Sequence, residues 1–593
     1  MISSLHLALG AALAFVTAAI ATALCKGMAL RLGIVARPKS DRWHRETIAL
    51  LGGPPIVLTV VLVSLLAPIQ EPHIWALLAG CLCFAGIGLY DDLRPLRPYS
   101  KFIAQVVIAA GMTTLGLRFP LTGVPMVDVL VTMFWIVSIT NAFNLLDNMD
   151  GLAAGIAAIA GGIRLLLFLN EGQMEAAFVT TVFTGATLGF LLHNFNPASI
   201  FMGDAGSLFI GAFIAGLSLL GGTPNSRGTA SVLLVPVMMA LVPILDTTLV
   251  TMARIIAGRP ISQGGRDHMS HRLVTSGLSE RQAVLFLYAI AASSGLIAIY
   301  TRRFGFSESL VAMVLFGLGM LSLGVYLGRV RVYPDVGVIP DGRFVRLVSG
   351  FPYARQVATA VIDSVLIVLA YFAAYRLRFE NTFELHEHLF VQSLPVIIAS
   401  QMLAFGALRL YQGVWRYTSL PDLIKLVQGV TLGTSLSVLV IVYLYRFESY
   451  SRSVFILDWL LLIVFMACSR LSLRAFTELL RPRASQGQRV LIYGAGDGGV
   501  MVLREIRGNK DLNRIPAAFL DDDPRKQRTT VQGVPVLGGI DQLEHLIDRY
   551  EIAEVILSSS KIDVARWSRV EAVCQAHGIP VAHAVLRLEQ RGA

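Results

Sequence analysis

Three acid-bearing stretches sit where long apolar runs end: Tyr90-Asp91-Asp92, Asn141-Ala142-Phe143-Asn144-Leu145-Leu146-Asp147-Asn148-Met149-Asp150-Gly151, and Phe201-Met202-Gly203-Asp204-Ala205-Gly206-Ser207. Polar groups at the edge of a membrane span are costly unless they face a cavity, an ion or one another. Adjacent carboxylates such as Asp91 and Asp92 repel, so a cation or a shared proton must stabilise them. Lys101 opens the next apolar run. Mg²⁺ suits such a place, because it binds through one or two carboxylates plus substrate phosphate oxygens; a charged helix terminus is the plainer alternative. Asp204 lies between glycines ahead of another run, where backbone can approach a ligand and a helix N-terminus favours phosphate. An ordinary N-cap is the competing reading there.

A fourth stretch is basic. Arg254–Leu273 contains Asp267-His268-Met269-Ser270-His271-Arg272, and its Arg and His side chains suit recognition of a diphosphate. Membrane topology accounts for the arginines but not for the two histidines. Asp246, about two helical turns before Arg254, reads as its structural ion-pair partner. Acids, amides, Lys101 and the His-bearing segment, if collected on one face, describe a site for a metal and a diphosphate-bearing substrate. The apolar surroundings make the second substrate a lipid.

The elements that must position these residues are membrane spans. The chain has 593 residues, 55% hydrophobic and 15% charged, with a mean hydropathy of +0.66; a soluble domain is nearer a quarter charged. The five cysteines form no CxxC and no metal-ligand array, so neither a disulfide framework nor a zinc site is indicated. The net charge of +10 is spread over short loops between apolar runs, which fits membrane topology and argues against nucleic acid. Met1–Cys25 lacks a basic start and reads as a retained first helix. Spanning runs begin near Leu5, Ala49, Ile74, Phe102, Met126, Gly151, Glu175, Ala205, Thr229, Gln282, Ser307, Gln356, Leu389, Leu426 and Val454, which predicts about fifteen transmembrane helices. The basic loop Lys26–Arg45 is placed in the cytoplasm, and alternation from there puts every acid-rich loop on that side. Arg302-Arg303, Arg376 and Arg378 then fall outside, against the rule.

The ordered set Asp91-Asp92, Asn141-x-x-Asn144-x-x-Asp147-x-x-Asp150-Gly151, Phe201-Met202-Gly203-Asp204 and Asp267-His268-x-x-His271-Arg272 resembles the polyprenyl-phosphate N-acetylhexosamine-1-phosphate transferases, a glycosyltransferase family 4-like superfamily. The early loop Arg37-Pro38, Arg42-Trp43-His44 and Gly52-Gly53 is similar too, and the resemblance covers about Met1 to Gly328. It implies transfer of a sugar 1-phosphate from a UDP-sugar to polyprenyl phosphate, with release of UMP. Carried over residue by residue, it implies Mg²⁺ (or Mn²⁺) on Asp204 and catalytic roles for Asp91, Asp92 and Lys101. Asn144, Asp147 and Asp150 would hold nucleotide or metal; His268, His271 and Arg272 would hold diphosphate or sugar. Pro95 stands where some members carry a third acid, and Ser270 where many carry a third histidine. Long insertions expected for a peptide-bearing sugar are not evident, which favours a UDP-N-acetylhexosamine over a muramoyl-pentapeptide donor. The implied setting is the bacterial inner membrane, with the active site cytoplasmic.

The remainder divides at 331–480, a four-helix membrane segment, and 487–593, a cytoplasmic Rossmann-like α/β domain, after a transferase domain at 1–330. Tyr375-Arg376-Leu377-Arg378-Phe379-Glu380 and Leu410-Tyr411-Gln412-Gly413-Val414-Trp415-Arg416-Tyr417 resemble the membrane portion of polysaccharide-biosynthesis nucleotide-sugar dehydratases. Gln488–Tyr493 reads as a strand and Val500–Arg507 as a helix, with Gly494, Gly496 and Gly499 of a GxGxxG pattern between them. Asp521, after the strand Ala517–Leu520, stands where a ribose-binding acid is expected. NAD(P) or a nucleotide-sugar is the ligand class this implies. No Tyr-x-x-x-Lys pair follows, so dehydration by this half is not expected. A nucleotide sensor or an inactive scaffold is the alternative, with a second copy or later glycan-assembly enzymes as partners.

Overall fold

In lipid every backbone N–H and C=O must be satisfied within the protein, so long apolar runs fold as helices. The computed structural model describes residues 2–36, 47–220, 229–256, 265, 267–304, 306–328, 330, 354–379, 382–412, 420–479, 487–509, 512–558 and 563–584. They fall into two units, Met1–Arg481 and Pro482–Ala593. The first unit begins with α1 (Ser4–Leu32), α2 (Gly53–Leu65), α3 (Pro72–Leu93), α4 (Pro98–Thr114), α5 (Pro125–Leu146), α6 (Leu152–Asn170) and α7 (Met174–Asn194). It continues with α8 (Gly203–Leu217), α9 (Thr229–Met239), α10 (Leu241–Ile256), α11 (Met269–Thr275), α12 (Glu280–Phe304) and α13 (Phe306–Gly328). Its last four helices are α14 (Ala354–Phe379), α15 (Phe383–Ala407), α16 (Leu420–Tyr445) and α17 (Arg452–Leu479).

Among the described residues eleven helices are long and apolar enough to cross a membrane, or twelve if the pair Leu233–Met239 and Leu241–Ile255, bent by 76°, is one span. The described residues therefore show fewer such helices than the about fifteen expected. Helices form at all the expected starts, but α2 and α8 have only 13 and 15 residues, or about 20 Å of helix against a hydrocarbon core of roughly 30 Å. α4 has 17 residues and carries Lys101 and Gln105.

α8 lies among α2, α3, α5 and α6, with Ala205 to Leu217 all buried. Without a hydrophobic drive between helices in lipid, small residues that allow backbones to approach carry the packing. A Cβ on Gly53 of α2 would lie 2.2 Å from Gly206 N, and one on Gly88 of α3 would lie 2.3 Å from Asp204 O. At the other end of α8, the buried Arg164 of α6 donates from Nε to Leu217 O at 3.1 Å and also bonds Leu220 O. Its guanidinium stacks 4.0 Å above the Phe168 ring. Helices α14–α17 share a second core of Tyr371, Tyr375, Phe405 and Phe465, which also takes in Leu310 and Leu318 of α13.

The second unit is a six-stranded sheet built from β3 (Gln488–Tyr493), β4 (Arg514–Leu520), β5 (Thr530–Val531), β6 (Val534–Gly538), β7 (Glu554–Leu557) and β8 (Val581–His583); a short pair, β1 (Val35–Ala36) and β2 (Ile48–Ala49), belongs to the first unit. The spatial order is β5-β6-β4-β3-β7-β8. Every pairing is parallel except β5 with β6. Helix α18 (Asp497–Gly508) packs Leu503 and Ile506 on one face, while α19 (Leu543–Tyr550) and α20 (Val564–Ala576) cover the other. Parallel strands with helices on both faces form a doubly wound α/β unit.

Candidate active site

Asp91 and Asp92 occupy the last turn of α3, where a helix dipole disfavours negative charge, so both need partners. The Asp92 carboxylate accepts the backbone N–H groups of Asp204 at 2.8 Å and Ala205 at 2.9 Å. It thereby caps α8 from a neighbouring helix. Gly203 has φ +73°, and a Cβ there would lie 2.7 Å from Asp92 Oδ2, so glycine is required twice over. Asp91 is oriented differently. Its Oδ1 accepts Leu96 N–H at 2.6 Å and its Oδ2 lies 3.0 Å from Lys101 Nζ.

Lys101 also donates to Asp204 Oδ2. Asp204 Oδ1 accepts Asn144 Nδ2 at 2.8 Å, and the same amide reaches Ser207 Oγ at 2.8 Å. Asp91, Lys101, Asp204 and Asn144 thus form one charged chain across α3, α4, α8 and α5. Asp204 is its most open charged member, with 33% of its side chain exposed against 15% for Asp91 and Lys101.

Other members of the Asn141–Gly151 stretch take other positions and partners. Asn141 donates to Gln105 Oε1 at 2.6 Å. Asp147 takes the C-cap position of α5. Asp150 accepts Ala198 N–H at 2.9 Å and Asn196 Nδ2 at 3.4 Å, which ties down the segment leading to Asp204. Gly151 donates to Asn194 Oδ1 at 3.1 Å and accepts the Tyr288 hydroxyl at 2.5 Å.

The basic segment is held by partners that residue spacing did not predict. Asp246 and Arg254 do not pair, because eight residues along one helix separate them by about 12 Å. Arg254 instead forks onto Asp267, at 2.8 Å from Nε and 2.7 Å from Nη2, and Asp246 bonds His268 Nδ1 at 2.7 Å. Arg272, expected on the diphosphate, donates to three carbonyl oxygens: Asp267 at 2.7 Å, Leu327 at 2.8 Å and Val330 at 3.0 Å. The structure gives it a scaffolding place. His271 is buried, with its ring 6.1 Å from that of His268. Ser270 donates to Asn148 Oδ1 at 2.7 Å, joining the basic segment to the Asn141–Gly151 stretch. Only a fold could reveal that contact.

Burial raises the Asp267 carboxyl, but the Arg254 fork outweighs it and holds the group below the usual carboxylate range. A depressed folded value contributes stability that is present above the ordinary value near about 4 and is lost as pH falls through the folded one. Arg254→Met is expected to melt below the wild type at neutral pH, with the gap closing as pH falls below about 4. Paired thermal melts across that range check it; a gap that stays constant with pH contradicts the assignment.

Among the described residues no three His, Cys, Asp or Glu side chains converge to hold an ion by themselves. The donors near Asp204 are hard oxygens, which suits Mg²⁺ held through one or two carboxylates with phosphate oxygens completing its shell. The residues present fit an ion bound in that way.

In the second unit Gly494 has φ +105°. A Cβ on Gly499 would lie 1.9 Å from Gly494 O, and one on Gly498 would lie 2.1 Å from Ser558 O. Those two glycines are required by close packing. A Cβ on Gly496 would meet nothing nearer than Lys526 Nζ at 4.0 Å, which leaves room above the turn. Asp521 accepts Ala495 N–H at 2.8 Å and Lys526 Nζ at 2.9 Å. Burial raises its carboxyl, and the Asp523 amide with Lys526 brings it below the ordinary range.

Residues 74–222 match the family model of glycosyl transferase family 4, and residues 407–571 match that of a CoA-binding domain. A probable undecaprenyl-phosphate N-acetylglucosaminyl 1-phosphate transferase of Bacillus subtilis (strain 168) is 35% identical over 296 residues, covering 48% of this chain and 82% of that protein. A decaprenyl-phosphate N-acetylglucosaminephosphotransferase of Mycolicibacterium smegmatis is 34% identical over 319 residues, covering 47% and 78%. Among solved structures, UDP-D-quinovosamine 4-dehydrogenase from Vibrio fischeri shares 33% identity with 17% of this chain, over 79% of its own, at a TM-score of 0.15.

Proposed function

Because the chain belongs to glycosyl transferase family 4, the polyprenyl-phosphate hexosamine-1-phosphate transferases, we propose that it transfers N-acetylhexosamine 1-phosphate from a UDP-sugar to undecaprenyl or another polyprenyl phosphate. An oxygen of the lipid phosphate forms a bond to the sugar-bearing phosphorus, the P–O–P bond breaks, and UMP leaves. The product starts a lipid-linked cell-surface polysaccharide. The observation that carries this reading is the chain Asp91–Lys101–Asp204–Asn144, which places a cation between two carboxylates at the end of two apolar helices.

Asp91 is assigned to orient or deprotonate the lipid phosphate: its Oδ2 meets the side chain of Lys101, which can swing away, whereas both oxygens of Asp92 are held by backbone amides of α8. Lys101 shifts from the carboxylates towards the transferring phosphoryl group and neutralises charge there, the usual dominant contribution in such reactions. Asp204 would hold Mg²⁺, or Mn²⁺, which supplies further neutralisation of the diphosphate. Asn144 fixes the Asp204 carboxylate, and His268 contacts the donor. The site is placed on the cytoplasmic side of the bacterial inner membrane. The second unit is assigned a nucleotide ligand, NAD(P) or a nucleotide-sugar, over Gly496.

Purified protein with Mg²⁺, UDP-GlcNAc and undecaprenyl phosphate is expected to release UMP and to form a lipid-linked sugar. No turnover with any UDP-N-acetylhexosamine across a donor panel would overturn the proposal. Exchange of UMP into UDP-sugar without lipid would select a covalent aspartyl-phosphate route over direct attack.

A further inference from the structure

Asp246 lies outside the charged chain at Asp204, yet its carboxylate organises the segment that carries the histidines. Its Oδ2 is 2.7 Å from His268 Nδ1, and its Oδ1 accepts the Met269 amide at 2.6 Å. One acid thereby fixes both a side chain and the first backbone donor of α11. Only 2% of the Asp246 side chain and 6% of the His268 side chain are exposed. α11 has seven residues, too few to hold an orientation alone. The Ser270–Asn148 bond steadies it from the other side, against the stretch whose Asn144 grips Asp204.

Which ring nitrogen of a histidine carries the proton is set by the hydrogen bond made at the other. In the neutral ring, a carboxylate at Nδ1 keeps the proton there and leaves Nε2 as an acceptor. His268 Nε2 makes no hydrogen bond among the described residues. An acceptor is poorly matched to the oxygens of a diphosphate and well matched to an O–H or N–H.

We infer that Asp246 is a positioning residue that fixes His268 with its proton on Nδ1, so that Nε2 accepts a hydrogen bond from a hydroxyl or acetamido N–H of the transferred sugar. The inference rests on the proposed transferase activity and divides its donor contacts: Lys101 serves the phosphates, and the Asp246–His268 pair serves the hexosamine.

The test uses the full chain in detergent or nanodiscs, with undecaprenyl phosphate as acceptor. Asp246→Asn and His268→Gln are each expected to raise KM for UDP-GlcNAc about tenfold with a smaller change in kcat. The inhibition constant for UDP, which has the diphosphate but no sugar, should stay within about twofold. The double variant should be no worse than His268→Gln alone. Asp246→Glu, which keeps an acceptor for Nδ1, should hold KM within about threefold of wild type.

UDP inhibition that weakens in step with KM would put the ring on the diphosphate and overturn the inference. So would multiplied effects in the double variant, or a glutamate no better than asparagine, since both would mark Asp246 as merely structural. A wild-type protein inactive with every donor would instead be a failure of the transferase reading itself.

Discussion

Asp204→Asn is expected to lower UMP release by at least about 10³-fold at saturating donor and acceptor, with Mg²⁺ present. The amide keeps the size of the side chain and leaves the Asp204 backbone N–H on Asp92, so α8 stays capped. What it removes is charge. Lys101 then faces one carboxylate, Asp91, instead of two, and the more open of those two carboxylates becomes a neutral amide. A variant that folds and still turns over within about tenfold of wild type would show that Asp204 neither holds a metal nor anchors Lys101 during transfer.

A second large loss is expected from a residue with no functional group. Gly88 lies on α3, one turn before Asp92, and a Cβ there would meet Asp204 O at 2.3 Å and Ala205 Cα at 2.6 Å. Both are backbone atoms, so α3 or α8 must shift by a substantial part of an ångström. Displacements of that order in a positioned site cost about 10² in rate. Gly88→Val is therefore expected to reduce turnover about 100-fold while the protein still accumulates in membranes. Gly86 on the same helix has nothing within 4 Å of the equivalent position, and Gly86→Val should stay within about twofold of wild type. Equal behaviour of the two variants would refute the packing argument.

Much of this site could be read from residue order, and the parts that could not have a common cause. Asp91, Lys101, Asn144 and Asp204 meet because each sits at the end of an apolar run, and alternating spans bring such ends to one side. Which way a side chain turns is not written in its spacing. Asp91 and Asp92 are adjacent, yet one faces Lys101 and the other caps α8. Arg272 looks like an anion ligand in sequence but is turned onto carbonyls of its own segment and of α13. The partners of Asp246 and Ser270 are 22 and 122 residues away, beyond any local pattern. The difference between the expected span count and that of the described residues has a related origin. Hydropathy registers α2 and α8 as apolar, but it does not register that their helices stop at 13 and 15 residues.

α8 has one further property that follows from how its ends are closed. Asp92 takes the amides of Asp204 and Ala205 in its first turn, and Arg164 takes the carbonyl of Leu217, its last residue, and that of Leu220 just beyond, so each end is held by a charged side chain of the bundle. A helix with a free end frays turn by turn, and fraying lets a protein open locally at little cost. Opening either end of α8 would instead strand a charge inside the bundle, which costs several kcal/mol. The low-energy openings by which protein segments exchange their amides with solvent are closed to it. Residues 203–217 should come apart only with the cooperative unit around them, and Asp204 remains in place for as long as that unit does.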